Sequence, residues 1–458
     1  MASSTQRSLD ISAQPVDWSQ FADSLGSVEV ITNPDQVFKL SKDYYHFSPI
    51  LAIQLKEKVG DIVVRPKTEA EVLQVAQACV KAKAPLTVRG AGTGNYGQAI
   101  PLAGGVILDM SAMNAVKWIE PGRACVEPGA KLAAIDKVSR PQGWEVRMAP
   151  STYRTATIGG FIAGGSGGIG SILYGQLADR GNLQAVRVAT LEDEPRIIEL
   201  RGDAVQQVNH AYGTNGIITE LEIPLGPAYP WAEVIVVFDD FMSAAHFGQT
   251  LGDADGIVKK LTSIHAWPIP SYFAALQDAL PDGKAAVLLI VSEADLAALS
   301  ELVNECKGAI TYQKDARAAG KGAAIAEFTW NHTTLHARNA DSRWTYLQTV
   351  FPYDPELKMV QHMYDHFGDE VLMHLEYIRV RGNILPAALQ LVRYSTAERL
   401  NEIIRYHEKK GAFIANPHTY VLEDGGRKTV DKNQLKFKTQ VDPYGLFNPG
   451  KMRGWLER

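Results

Sequence analysis

The chain has 458 residues, 46% hydrophobic and 21% charged, with a formal net charge of -5, a globular composition that suggests two or three units. No block of like charge stands out, so neither a nucleic-acid partner nor an anionic membrane surface is indicated. The three cysteines, Cys79, Cys125 and Cys306, are far apart and form no CxxC, which argues against a disulfide framework or a structural zinc or iron–sulfur site and suits a reducing, cytoplasmic setting.

The first residues lack the hydrophobic stretch of a secretory signal, while a short organellar targeting segment stays open. No apolar run is long enough to span a bilayer, so no integral membrane segment is expected. Residues 1–55 form a mixed, polar lead-in expected to pack on the main body. From residue 61 the pattern sharpens. Residues 62–64 form a short apolar strand ended by Pro66. Thr68 and Glu71 have capping-box spacing, and Val72, Val75, Ala76, Cys79 and Val80 recur at helical period. Pro85 and a strand at 86–88 complete a β-α-β unit, with Cys79 in its core. Another strand is expected at 106–109. A hairpin follows, 183–190 and 196–200, and Asp203 is placed as the cap of a short helix. A strand at 219–224 ends where Pro224, Pro227 and Pro230 mark a boundary.

Beyond it the rhythm changes. Strands are expected at 234–238, 257–265, 286–291 and 309–313, and helices up to about 251, at 271–280 and at 295–307. This alternation suggests a mixed layer on an antiparallel sheet. The last third predicts a helix at 356–367, one strand at 371–381, and a helix at 395–410 with Ser395 and Glu398 as its capping box and Gly411 as its stop.

Two glycine-rich stretches stand out. The first is Arg89-Gly90-Ala91-Gly92-Thr93-Gly94-Asn95-Tyr96-Gly97-Gln98. Gly92, Gly94 and Gly97 satisfy GxGxxG, which alone is weak evidence for a nicotinamide site. That fingerprint must open a helix, whose N-terminus faces the pyrophosphate. Here Pro101 and Gly104-Gly105 follow, then a strand, so no useful helix can form. What remains is a run of glycine N–H groups able to turn inward as an anion-binding nest, with Thr93 and Asn95 as added donors. The second stretch runs from Ala149-Pro150 through Ala156-Thr157-Ile158-Gly159-Gly160 to Ala163-Gly164-Gly165-Ser166-Gly167-Gly168. So much glycine weakens any regular element and implies a close backbone approach.

These stretches occur in order with Val64-Arg65-Pro66, Gly213-Thr214-Asn215-Gly216-Ile217-Ile218-Thr219 and a closing Phe447-Asn448-Pro449-Gly450-Lys451. Together they resemble the vanillyl-alcohol oxidase / p-cresol methylhydroxylase (PCMH-type) flavoproteins, in particular the glycolate oxidase and D-lactate dehydrogenase-like branch. The resemblance is good over residues 55–227 and 440–455 and weak between. It implies an α+β protein: an FAD-binding domain of two α/β subdomains (56–227), a substrate-binding cap on a mainly antiparallel sheet (228–410), and a C-terminal segment returning to the flavin (411–458). It implies that residues 89–98 wrap the FAD pyrophosphate. Pro150, Thr157, Ile158, Gly159 and Gly160, then Ala163, Gly164, Ser166, Gly167 and Gly168, would contact flavin and phosphates. Gly216, Ile217 and Ile218 would meet the adenine–ribose side, and Asn448 would sit nearby. The His or Cys that some relatives link to FAD is missing from both loops, so FAD is expected to be dissociable. A link from a cap His or Tyr stays open.

A flavin takes a hydride while a protein base takes a proton, and a carboxylate substrate calls for a bidentate Arg. Period two places Tyr377, Arg379 and Arg381 on one face of the strand ending at 381, with His374 and Glu376 on the other. Asn416, His418 and Tyr420 share a face after Gly411, in the region where relatives place residues beside the flavin. His418 is the candidate base, with Tyr420 beside it. Lys451 is placed near the flavin N1–C2 carbonyl side. The pairs His332/His336 and His362/His366 have zinc-compatible spacing but no HExxH glutamate, so no metal is expected. The expected activity is oxidation of a small hydroxylated substrate, 2-hydroxy acids among them, with oxygen, a quinone or a partner protein as electron acceptor. Three alternatives stay open: a flavoenzyme without net redox outcome of the alkyl-ether-lipid synthase kind, an electron-transferring subunit, and a non-catalytic FAD-binding protein.

Overall fold

A computed structural model of the protein describes residues 16–318, 322–427 and 429–458. The lead-in before residue 16 lies outside the described residues.

The β-α-β unit is strand Ile62–Arg65, helix Glu69–Ala82 and strand Leu86–Arg89. Thr68 Oγ1 accepts from the Glu71 N–H at 3.2 Å, and the Glu71 carboxylate accepts from the Lys67 N–H at 2.6 Å. This reciprocal cap satisfies amide groups that the first helical turn leaves unpaired. Val106–Asp109 inserts between the unit's two strands, parallel to both, and the lead-in strand Glu29–Ile31 adds antiparallel at the edge. Cys79 lies fully buried in this core.

The second sheet is antiparallel. Its order is Val116–Glu120, Arg123–Val126, Ile217–Pro227, Ala185–Ala189, Ile197–Arg201, with Trp144–Val146 pairing the far end of Ile217–Pro227. The expected hairpin is present as Ala185–Ala189 and Ile197–Arg201. Asp203 is not a helix cap: it lies inside the 3-10 stretch Gly202–Gln207, and its carboxylate pairs with Arg180 at 2.5 Å.

From Trp231 the chain enters an eight-stranded antiparallel sheet. Its order is Ala309–Lys314, Trp231–Phe238, Ala285–Ser292, Lys259–His265, His374–Val380, Asn383–Ala388, Gln348–Val350 and Phe413–Ala415. Helices Phe241–Asp253, Leu296–Glu305, Lys358–Phe367 and Ala397–Lys410 share one hydrophobic core with one face of it. The opposite face is covered by a second core over its first four strands and faces the loops of the other two sheets over its last four.

Three expectations are corrected here. Residues 371–381 are not one strand: Val371–Leu372 pairs Leu391–Arg393 in a separate three-stranded ribbon, and only His374–Val380 joins the large sheet. Residues 271–280 form two short 3-10 turns, Ile269–Tyr272 and Ala274–Ala279, in place of one helix. The cap of Ala397–Lys410 is Thr396, whose Oγ1 accepts from the Arg399 N–H at 3.1 Å, and not Ser395. The α+β class stands, with a mainly antiparallel cap sheet.

Candidate active site

A cavity of about 990 Å³ lies where the loops after Arg89 and Thr157 face the open half of the cap sheet. That is the upper end of the roughly 300–1,000 Å³ usual for a small-molecule site, room for an extended cofactor. Arg89 to Asn95 and Gln98 form one wall. Among the described residues, no protein acceptor meets the backbone N–H of Ala91, Gly92, Thr93, Gly94 or Asn95. Unpaired N–H groups at a wall are costly unless solvent or a ligand meets them, and a pyrophosphate matches such a row of donors. Each bond to a charged oxygen contributes about 1.5–3 kcal/mol. The Arg89 guanidinium is folded back under the loop, donating to the Lys42 carbonyl at 2.6 Å. Burial lowers its pKa, and the charges of Asp43 and Asp109 oppose that shift.

The second loop packs directly against the first. A Cβ on Gly90 would collide with Thr157 Oγ1 and lie 3.7 Å from the Gly160 Cα, so only glycine allows this approach. Gly92 is left-handed, with φ 66°. Gln98 spans the two loops: its Oε1 accepts from the Tyr96 N–H at 3.0 Å and its Nε2 donates to the Gly164 carbonyl at 3.5 Å. Despite its glycines the second stretch holds a regular element, the seven-residue helix Ile158–Gly164 capped by Thr157. Pro150, Thr157, Gly159, Gly160, Ala163, Gly164, Ser166 and Gly167 line the cavity, as do Gly216 and Ile218. Ile158 and Ile217 instead point into the cores beneath. The Gly168 N–H is used by Ser171 Oγ at 2.8 Å.

In the C-terminal segment Phe413, Ala415, Gly425 and Gly426 line the cavity, but four expected site residues brace the loops from behind and do not, which is a correction. Lys451 is fully buried, and its Nζ donates to the Gly97 carbonyl at 2.5 Å, 5.2 Å from the Tyr420 ring centroid. Asn448 donates to the Gln98 carbonyl at 2.8 Å and the Tyr212 carbonyl at 2.6 Å. Gly97 is thereby a point of attachment, with no place in the cavity lining. Tyr420 packs on the Leu51–Leu55 cluster. His418 is 5% exposed and both ring nitrogens are engaged, one with Ser48 Oγ at 2.8 Å and the other with the Tyr346 carbonyl at 2.9 Å. Burial pushes its pKa down to about 4. It has no access to a substrate proton.

The cap wall corrects the expected face. Ile378 opposes Leu385 and Val380 opposes Asn383, and these residues line the cavity. Tyr377 and Arg379 turn the other way. The Tyr377 hydroxyl donates to the Ala245 carbonyl at 2.6 Å, and Arg379 pairs with Asp255 at 2.6 Å. Arg381 does reach the cavity, because it lies past the strand in a hairpin with φ 50° and so leaves the alternation. Sequence reasoning missed as site residues Trp330, Asn331 and His332, which open the helix Asn331–Ala340 and line the cavity. Burial, and then the charge of His336, lower the pKa of His332. Trp330 has φ 52° and its N–H donates to Glu376 Oε1 at 2.6 Å. That buried oxygen also accepts from Ser263 Oγ at 2.8 Å and contacts His374 Nε2 at 2.9 Å. The Tyr96 hydroxyl donates to Gln348 Oε1, joining the first loop to the cap sheet.

A family model described as an FAD binding domain matches residues 60–195, which carry both glycine-rich loops. Residues 60–195 carry an FAD-binding domain, and the chain is similar to PCMH-type FAD-binding flavoproteins. Its cofactor is FAD, and the row of unpartnered donors from Ala91 to Asn95 fits that group. The flavoprotein is similar to the glycolate oxidase subunit GlcD of Escherichia coli K12, 32% identical over 209 residues, 43% of this chain and 41% of the relative. It is also similar to the mitochondrial D-lactate dehydrogenase [cytochrome] of Arabidopsis thaliana, 27% identical over 191 residues, 40% of this chain and 33% of the relative. These matches span less than half the length of either relative. Among solved structures, an alkyldihydroxyacetonephosphate synthase superposes with a TM-score of 0.71 at 16% identity, covering 95% of this chain and 85% of that one. Physcomitrella patens BBE-like 1 superposes with a TM-score of 0.66 at 14% identity, covering 94% and 98%. These likenesses show the fold. Among the described residues, no helix is long and apolar enough to cross a membrane, and no group of three or more His, Cys, Asp or Glu could hold a metal.

Proposed function

We propose that this FAD-dependent oxidoreductase oxidises the CH–OH group of a small hydroxylated substrate, 2-hydroxy acids among them. One arrangement carries the reading: the donor row of the first loop and the His332 imidazole face the same cavity. When bound, FAD supplies a hydride acceptor at its flavin N5. His332 takes the hydroxyl proton. Its lowered pKa keeps the ring neutral near pH 7, the form a general base requires. Arg381 has no ion-pair partner among the described residues, so its guanidinium is free to hold an anionic group at the cavity. Glu376 holds the Trp330 N–H and thereby sets where His332 begins its helix. The names of the E. coli and Arabidopsis relatives, a glycolate oxidase subunit and a D-lactate dehydrogenase, agree with a hydroxy acid donor.

A second reading, chemistry at the flavin without net oxidation, is favoured by the 27% identity over 222 residues to the alkyldihydroxyacetonephosphate synthase of Dictyostelium discoideum. Anaerobic mixing of the FAD-loaded protein with glycolate, both lactates and short primary alcohols separates the two. Loss of the oxidised flavin's visible absorbance with at least one donor supports oxidation. A yellow protein that none of them bleaches overturns it. Admission of air to the bleached protein then tells an oxidase from a dehydrogenase that needs another acceptor.

A further inference from the structure

We propose that the substrate is an amphiphile, with a carboxylate held at Arg381 and an apolar body larger than the methyl group of lactate lying along the cap sheet. This deepens the CH–OH oxidation proposed above and rests on it.

The wall opposite the glycine loops is one face of four strands. In an antiparallel pair, residues directly opposite each other project to the same side. Ile378 faces Leu385, and Val350 lies opposite both Ala387 and Phe413. All five line the cavity, and Val380 continues the row. The reverse face of the same strands is closed by the helix Phe241–Asp253, onto which Tyr377 docks. On the cavity side the strip is only partly covered among the described residues: Ile378 and Ala387 are buried, Val350, Val380 and Leu385 are half-buried, and Phe413 is exposed. An apolar sheet face that borders a cavity marks a binding surface.

The mouth repeats the pattern. Tyr44, Phe413 and Tyr353 are 44%, 42% and 50% exposed, and all three line this cavity. At the end of the apolar row stands Arg381, exposed on the hairpin that joins His374–Val380 to Asn383–Ala388 and without a counter-ion among the described residues. A cation beside an apolar strip that lines a cavity suits a ligand with one anionic end and one apolar end. A very short hydroxy acid would use Arg381 and leave the strip bare.

The chemistry is unchanged by chain length. With FAD bound, the carbinol hydrogen would pass as hydride to the flavin while His332 takes the O–H proton, leaving a carbonyl. A single anaerobic turnover needs no other reactant.

The test follows anaerobic reduction of the FAD-loaded protein by lactate and its straight-chain homologues up to 2-hydroxyoctanoate. The kcat/KM is expected to rise about fourfold per added methylene, the gain from burying one such group. Arg381→Gln should lower it for every member alike, and Leu385→Asp should remove the gain with length. A kcat/KM that is flat or falls with length overturns the proposal and leaves CH–OH oxidation standing. If no member reduces the flavin, the hydroxy acid reaction itself fails, and equilibrium dialysis of octanoate against the same holoprotein still decides the site. Saturable uptake that weakens in Arg381→Gln supports the apolar anion site. Absence of uptake overturns it.

Discussion

Replacing His418 by Gln separates a structural histidine from a catalytic one. The ring Nε2 lies 2.9 Å from the Tyr346 carbonyl, which can only accept, so Nε2 carries the proton and Nδ1 accepts from Ser48 Oγ at 2.8 Å. The neutral ring is therefore fully satisfied, and burial holds its pKa at about 4 against an ordinary 6.5. In the unfolded chain the same ring takes up a proton as pH falls through 6.5. Between pH 6.5 and 4 the unfolded state binds more protons, so the neutral ring's contribution is complete above 6.5 and is lost as pH falls to about 4. A difference of about 2.5 units at 1.36 kcal/mol each makes the loss about 3 kcal/mol. Gln offers an Nε2 donor for Tyr346 and cannot titrate. Urea denaturation of both proteins from pH 8 to 4 should show wild type losing about 3 kcal/mol more than the variant across that window. At pH 8 the folded variant should still be bleached by substrate at the wild-type rate. Parallel pH profiles would refute the linkage, and a folded variant that is no longer bleached would return His418 to the chemistry.

Four further outcomes are expected. Gly90→Ala drives a methyl into Thr157 Oγ1 and separates the two loops, so FAD titration should show at least roughly tenfold weaker binding, equivalent to about 1.4 kcal/mol. His332→Ala should keep FAD and slow flavin reduction by about 10²–10⁴-fold, the usual share of a general base, as measured by stopped-flow absorbance. Glu376→Ala strips the acceptor from Trp330, Ser263 and His374 and should destabilise by about 3–5 kcal/mol in urea, whereas Glu376→Gln keeps an acceptor oxygen and should recover most of that loss. Acid precipitation should leave the flavin colour in the supernatant, since neither glycine loop supplies a His or Cys to link it; colour retained in the pellet would point to a bond from another side chain.

The glycine loops were legible because their demands are local. Gly92 needs its left-handed backbone whatever lies elsewhere, and Pro101 forbids a helix after the loop from sequence alone. The β-α-β unit was legible for the same reason, since Thr68, the apolar period and Pro85 act within a few residues of each other. The chemistry-bearing side chains were not, because their direction is set by partners far away in the chain. Period two correctly joined Tyr377 to Arg379, yet nothing in the strand says which face the helix Phe241–Asp253 will cover. The break at Met373, which sends Val371–Leu372 to one sheet and His374–Val380 to another, is likewise decided by the strands that pair with each piece.

The closing motif shows the same division from the other side. Its place in the chain predicts proximity to the flavin, and Lys451 and Asn448 do sit directly behind the first loop. Proximity does not give direction. Both Asp43 and Lys451 are enclosed there. Burial raises the pKa of Asp43 and lowers that of Lys451, and the opposite charge of each partner offsets part of the shift. A lysine facing the flavin would need its head group in the cavity. This one spends its donor on the Gly97 carbonyl, while the Asp43 carboxylate accepts from the Ala99 N–H at 3.3 Å. The two ends of the chain thus grip the first loop just past its donor row, at Gly97 and Ala99. The row from Ala91 to Asn95, whose N–H groups meet no protein acceptor among the described residues, lies directly before these two anchors.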